Sequence, residues 1–248
     1  MIVLSGTDLQ EKMLELPETQ AAIDAVDTLV VYERSAMAKL SPRQLAKTVL
    51  VPHSAIPVEL PDFEFASGLN IVSVSHIRPQ KNLVAYFRCL EKFSQADKVT
   101  FHHVGCTIDE ANGKEVAQIA ASNPNVKLHG ELAFDLTVAM IRAADLLVHP
   151  SLVEGFPNVL VEAIMNQTTI AVSRIPVHTA TFADCLPAEL FFGTDCGDDL
   201  RKLLERFVNE ENFRIQMQQA CVGIADRFHP DVESAGLAEM LQAVGKIG

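Results

Sequence analysis

Along this chain, short runs of Val, Ile and Leu alternate with stretches whose apolar residues recur every three or four positions, the mark of strands alternating with amphipathic helices. From Leu69 onward the alternation is regular. It predicts strands over Ile71–His76, Val99–Val104, Val126–His129, Asp145–Pro150, Thr169–Val172 and Leu190–Gly193. Between them it predicts helices over Asn82–Phe93, Glu110–Ala121, Asp135–Ala144 and one beginning at Pro157, with three more over 198–208, 211–227 and 232–244. Such a succession implies a parallel sheet covered on both faces. The first 52 residues carry a shorter version: strands at Ile2–Leu4, Thr28–Tyr32 and Thr48–Val51, a helix over Glu18–Val26 and a helical turn over Ser35–Leu40. That is roughly a third of an ordinary doubly wound domain. Ser54–Phe63, with Pro57 and Pro61 and no period, reads as a linker. The expected class is α/β, with residues 1–63 a partial Rossmann-like segment plus linker and 64–248 a complete Rossmann-like domain. The partial sheet leaves an exposed edge strand, which invites pairing with a like or unlike chain.

One stretch departs from this pattern. Between Phe156 and Gln167 the only ionisable side chain is Glu162, set among Val159, Leu160, Val161, Ala163 and Ile164. With Pro157 as first helical residue, Val159, Leu160, Ala163 and Ile164 share one face, and Asn158, Glu162 and Met165 another. A carboxylate on so apolar a helix costs free energy unless it is paired, hydrogen-bonded or facing a cleft. Glu154 lies in the loop before the helix, at the carboxyl end of a strand, where open parallel sheets bind ligands. Amides at the helix start, over residues 157–160, would attract an anion such as phosphate. Two carboxylates for hydroxyls and a helix end for phosphate suit a nucleotide-sugar. A second loop, after the strand ending at His76, carries Arg78 and Lys81, a planar fork and a mobile point charge for phosphate oxygens; a solvated basic turn is the plainer alternative.

Composition narrows the field. The net charge of −12 argues against a nucleic-acid binder, whose affinity is mainly cationic, while leaving room for a small basic pocket. No apolar run approaches the ~20 residues of a membrane span, and Met1–Ser5 lacks a charged leader region, so a cytoplasmic protein is expected. The five cysteines are odd in number and share no short spacing, so they read as reduced thiols rather than disulfides or a zinc site. His102 and His103 are adjacent on a strand and face opposite sides, which argues against a metal pair.

The run Glu154-Gly155-Phe156-Pro157-Asn158-Val159-Leu160-Val161-Glu162-Ala163 resembles the glutamate, seven residues, glutamate motif of family-four retaining glycosyltransferases with the GT-B fold. The resemblance covers about residues 66–248 as a whole donor domain, with residues 1–55 resembling only the last part of an acceptor domain. It implies that Glu154 meets the donor sugar, that Glu162 meets the ribose hydroxyls, and that Gly155, Phe156, Pro157, Asn158 and Val159 hold sugar and diphosphate. Where the family has a Gly-Arg pair this chain has Ser75-His76; Lys81 matches, and Arg78 or His76 stands in for the missing cation. His76-Ile77-Arg78 with Lys81, Leu4-Ser5-Gly6-Thr7-Asp8-Leu9, and Leu29–Tyr32 leading to Val51–Ala55 also resemble selenosugar synthases, although that subgroup has Gly-Gly-Ala where this chain has Gly155-Phe156-Pro157.

His129-Gly130-Glu131-Leu132 resembles the family loop that reads the nucleobase, which brings in Glu131 and Leu132; a strand end needing Gly explains it equally. Ile175-Pro176-Val177-His178 resembles a recurrent segment near the donor, though a lone loop histidine such as His178 is more often solvated. The resemblance implies transfer of a hexose-type sugar from a UDP- or GDP-linked donor to an unidentified acceptor, with no obligatory metal and with Arg78, Lys81 and Glu154 as catalytic groups. The alternative is a nucleotide-sugar-binding module or pseudoenzyme, because the family's N-terminal glycine-rich loop has no counterpart here.

Overall fold

The computed structural model describes residues 1–4, 11–51, 53–56, 58–66, 68–91, 93 and 98–245. The resemblance carried by Ser5–Leu9 and the prolines at 52 and 57 lie outside the described residues. Three parallel strands, β1 (Ile2–Leu4), β2 (Leu29–Val31) and β3 (Thr48–Leu50), form a small sheet in that order. Between them run α1 (Glu11–Leu14), α2 (Pro17–Ala25), α3 (Arg34–Met37) and α4 (Pro42–Leu45). The sequence pattern missed α1 and α4, each four residues long and too short to show a period. α4 is marked instead by its start: the Ser41 side chain accepts from the Gln44 amide while Gln44 reaches back to the Ser41 amide, a capping box.

The larger sheet holds β4 (Leu69–Val74), β5 (Val99–Val104), β6 (Val126–Leu128), β7 (Leu146–His149), β8 (Thr169–Ser173) and β9 (Phe191–Phe192). All pair in parallel, in the order β6-β5-β4-β7-β8-β9. Strand order therefore reverses between β4 and β7, which is the topological switch point where such sheets open a ligand crevice. The connecting helices are α5 (Leu83–Glu91), α6 (Glu110–Ser122), α7 (Phe134–Ala143), α8 (Asn158–Met165) and α9 (Pro176–Phe182). The chain ends with α10 (Asp198–Asn209), α11 (Glu211–Val222) and α12 (Pro230–Gly245).

Several boundaries shift by a few residues, among them β4, expected over Ile71–His76 and found at Leu69–Val74, and two of the differences have local reasons. The helix expected over 211–227 stops at Val222, because Gly223 follows and the chain turns through a 3-10 segment at Ala225–Phe228. The helix expected from Pro157 begins at Asn158, since Pro157 takes φ −87° and ψ 77°, outside the helical region.

Ile71, Val72, Leu146, Leu147, Ile170 and Ala171 are fully buried in the sheet, packed under Phe87, Leu160, Val161 and Phe207 from the helices. On α8, Leu160, Val161, Ala163 and Ile164 are sealed while Glu162 stays half-buried. The expected apolar face thus gains Val161 and yields the half-buried Val159. α12 packs back on the small sheet, its Met240 buried against Val30 and Val51, and α3 packs on α9. Glu233 near its start accepts from the Ser54 amide at 2.9 Å and the Ser54 hydroxyl at 2.5 Å.

The crevice edge depends on two glycines. The Ser75 amide donates to Val104 at 2.9 Å and the Gly105 amide to Gly130 at 2.7 Å, so the strand-end loops of β4, β5 and β6 are stitched side by side. Gly105 has φ +145°, and a Cβ there would run into the Ser75 carbonyl; Gly130 has φ +67° with open space around it. Gly130→Ala is expected to cost about 1–2 kcal/mol, the ordinary left-handed penalty. Gly105→Ala adds a backbone collision and is expected to cost about 3 kcal/mol or more, lowering Tm by roughly 6–12 °C. Thermal unfolding of both variants checks this; equal shifts would mean that the loops do not meet as described.

Candidate functional site

At the switch point a cleft of about 590 Å³ opens between the loops after β4, β5, β6 and β7. Its walls include His76, Arg78, Lys81, Glu131, Leu132, Glu154, Phe156, Pro157, Asn158, Val159 and Glu162. Of the site residues named from the sequence, Gly155 and the weaker candidate His178 do not line it. The cleft also takes in Val74, Ser75, Val104, Gly105, Phe134, Thr137 and His149, which no motif named.

Loop geometry explains why Lys81 and Glu154 meet. Lys81 closes a one-turn 3-10 segment, Pro79–Lys81, and Asn82 then takes φ 55°, a left-handed conformation that Asn tolerates better than most residues. The Asn82 amide nitrogen donates to the Pro150 carbonyl at 3.1 Å and to Thr194 at 2.6 Å, and the Leu152 amide donates to Gln80 at 2.8 Å. The loop after β4 is thereby tied to the loop after β7.

Lys81 Nζ then stands 2.5 Å from Glu154 Oε1, and His149 Nε2 lies 2.7 Å from the same oxygen. The Glu154 side chain is only 9% exposed. Burial alone would raise its pKa, but the hydrogen bond and charge of His149, with those of Lys81, outweigh it and hold the carboxyl well below the usual range. Lys81 is thus already paired, whereas the sequence suggested a cation free for phosphate. Arg78 is exposed and has no carboxylate partner among the described residues.

Glu162 is the reverse case. Its side chain has no hydrogen bond among the described residues, and burial raises its pKa. An unpaired, half-buried carboxylate that lines a cleft is short of donors, a need that ligand hydroxyls meet. The helix start is narrower than the sequence suggested. Pro157 has no N–H, and the Asn158 and Leu160 amides donate to the Phe156 and Pro157 carbonyls at 3.1 and 2.9 Å. Among the described residues the Val159 amide alone of this group has no partner, so the anion site at this helix end is one N–H plus the α8 dipole.

The other histidines divide. His76 Nδ1 lies 3.1 Å from Cys106 Sγ at the rim. His102 bonds His129 at 2.9 Å and Asn70 at 3.1 Å, whereas His103 bonds the Ser73 hydroxyl at 2.9 Å. The two neighbours therefore serve different surroundings, as strand alternation requires. His178, expected in a solvated loop, is instead fully buried in α9, with its Nδ1 donating to the Ser173 carbonyl at 2.8 Å. It does not line the cleft but packs edge-to-face on His149, ring centres 5.4 Å apart.

The family described as glycosyl transferases group 1 matches residues 64–221, more than half of the chain. This chain belongs to that family. No curated protein matches it. Among solved structures it resembles one described as trehalose-6-phosphate from E. coli bound with UDP-2-fluoro glucose, at 15% identity and TM-score 0.70, covering 91% of this chain and 64% of that one. It also resembles Anabaena HepE in complex with UDP-glucose, at 14% identity and TM-score 0.76, covering 96% and 71%. A third is the apo form of the lipopolysaccharide outer core galactosyltransferase WaaB, at 16% identity and TM-score 0.69, covering 92% and 65%. The fold is accordingly that of GT-B glycosyltransferases, and the chain spans less than two thirds of the first of these structures. No helix among the described residues is long and apolar enough to cross a membrane.

Burial pushes the pKa of His102 and His103 down to about 4 and that of His178 to about 3. Their folded values lie below the unfolded value of about 6.5, so the unfolded chain binds more protons and stability falls as pH drops through the window from about 6.5 to about 4. Glu154, with a depressed folded value, stabilises above its unfolded pKa and loses that contribution only at lower pH. Denaturant unfolding at pH 7, 5.5 and 4.5 is expected to show a steady fall; a flat profile would contradict the neutral, buried state of these histidines.

Proposed function

We propose that this chain is the donor half of a retaining glycosyltransferase that moves a hexose-type sugar from a nucleoside diphosphate sugar, with UDP or GDP as carrier, to an acceptor. The observation that carries the reading is one cleft at the sheet's switch point lined by the cations Arg78 and Lys81 and by a half-buried carboxylate, Glu162, that has no partner among the described residues. Family membership and neighbours bound to UDP-sugars support it. Glu162 takes the ribose hydroxyls, Glu131 and Leu132 flank the base, and Glu154 meets the sugar hydroxyls.

As the bond from the anomeric carbon to the diphosphate breaks, negative charge gathers on the leaving group. Arg78, Lys81 and the Val159 amide face that charge and stabilise it as it forms. These groups supply the positive field, so the reading assigns the step no metal. The acceptor attacks from the side the leaving group departs, which retains configuration. The acceptor half is not carried by the three strands β1–β3 alone, and the open edges of that sheet are where a partner chain would pair. The loop His76-Ile77-Arg78 with Lys81 makes selenosugar synthesis the narrower form of this reading. Sugar transfer or donor hydrolysis by the isolated chain separates an enzyme from a nucleotide-sugar-binding module.

Calorimetric titration with UDP, GDP and ADP tests the site and reports the base. Micromolar binding of one of them is expected. Glu162→Ala is expected to weaken it roughly tenfold, the loss of about one good hydrogen bond to a charged group. Lys81→Ala is expected to weaken it more, and most at low salt. Equal affinity in all three proteins would defeat the reading.

A further inference from the structure

The structure assigns His149 as the positioning residue for Glu154: it holds the carboxylate in the cleft when Lys81 leaves it for a diphosphate. This rests on the reading of Glu154 as the sugar contact. Two donors share one Glu154 oxygen, Lys81 Nζ at 2.5 Å and His149 Nε2 at 2.7 Å. The two differ in what else they can reach. Lys81, 13% exposed on the wall of the cleft, faces the space a diphosphate would fill. His149, 3% exposed at the end of β7, has Glu154 as its one carboxylate partner among the described residues.

Once Lys81 moves to phosphate, His149 is the only side-chain partner left, among the described residues, to a carboxylate that is nine-tenths buried. Without it Glu154 would sit unpaired in a poorly solvated site, a state costly enough to swing the side chain out toward water. With it, Oε1 stays anchored and Oε2 is presented to the sugar hydroxyls.

The surroundings of His149 suit that task. To donate to a carboxylate, Nε2 must carry the proton. The Ser151 hydroxyl lies 3.2 Å from the same nitrogen. His178 packs against the ring, its own proton committed through Nδ1 to the Ser173 carbonyl and its Nε2 without a partner among the described residues. It therefore packs on His149 without competing for Glu154.

The test compares affinities of the full chain for UDP and UDP-glucose (GDP and GDP-mannose if titration selects guanine), because only the second ligand of each pair carries the sugar. His149→Gln places an amide N–H near the position of Nε2, whereas His149→Asn reaches only as far as Nδ1. The unchanged chain and His149→Gln are expected to prefer the sugar-bearing ligand about tenfold. His149→Asn and His149→Leu are expected to lose that preference while binding the bare diphosphate within twofold of the unchanged chain. Retained preference in His149→Asn, equal losses for both ligands, or Gln behaving like Asn would overturn the inference. Glu154→Gln is the control for the underlying reading: if it keeps the preference, Glu154 does not contact the sugar and both ideas fall. If it loses the preference while His149→Asn keeps it, only the role of His149 falls.

Discussion

The candidate site depends on the tie between two loops at the point where strand order reverses. The loop after β4 carries the cations and the loop after β7 the first carboxylate. They are held together by the Leu152 amide on the Gln80 carbonyl and by the Asn82 side chain, which donates to the Pro150 carbonyl and also reaches Thr194 after β9. Those contacts are uncharged and local, yet they decide that Lys81 and Glu154 come within bonding distance. Gly105 adds the third loop by letting its backbone lie against Ser75 without a side chain between them.

On that frame the electrostatics divide the labour. Glu154 is buried with two donors on one oxygen, so it stays ionised and fixed in direction. Glu162 is half-buried with no donors among the described residues, so its environment raises its pKa and leaves it open to a hydroxyl-bearing ligand. Arg78 is exposed and unpaired among the described residues. Two carboxylates eight positions apart thus occupy different chemical states because one lies beside a lysine and a histidine and the other beside hydrocarbon.

Much of this was legible in the sequence, and the exceptions have physical causes. Long periodic segments such as Glu110–Ser122 and Val99–Val104 emerged as read, because burying one face fixes their period. Glu162 stood out because a carboxylate is out of place on so apolar a helix, and Arg78 and Lys81 because two cations share one strand-end loop of an acidic chain; the structure places all three on one cleft. His149 was invisible, being one residue at the end of a buried strand; only its distance to Glu154 shows what it touches. His178 misled because a histidine after Ile-Pro looks like a loop residue, whereas Pro176 starts a helix and turns the ring inward. The helix start was overestimated because counting amides ignores those that bond to the preceding loop.

The most direct measurement is a crystal structure of the chain with its nucleoside diphosphate sugar. The diphosphate is expected between Arg78, Lys81 and the Val159 amide, the ribose on Glu162, and Glu154 still held by His149 with Lys81 moved to phosphate. A nucleotide bound elsewhere, or one in the cleft with Lys81 still closed on Glu154 and Glu162 touching nothing, would contradict it.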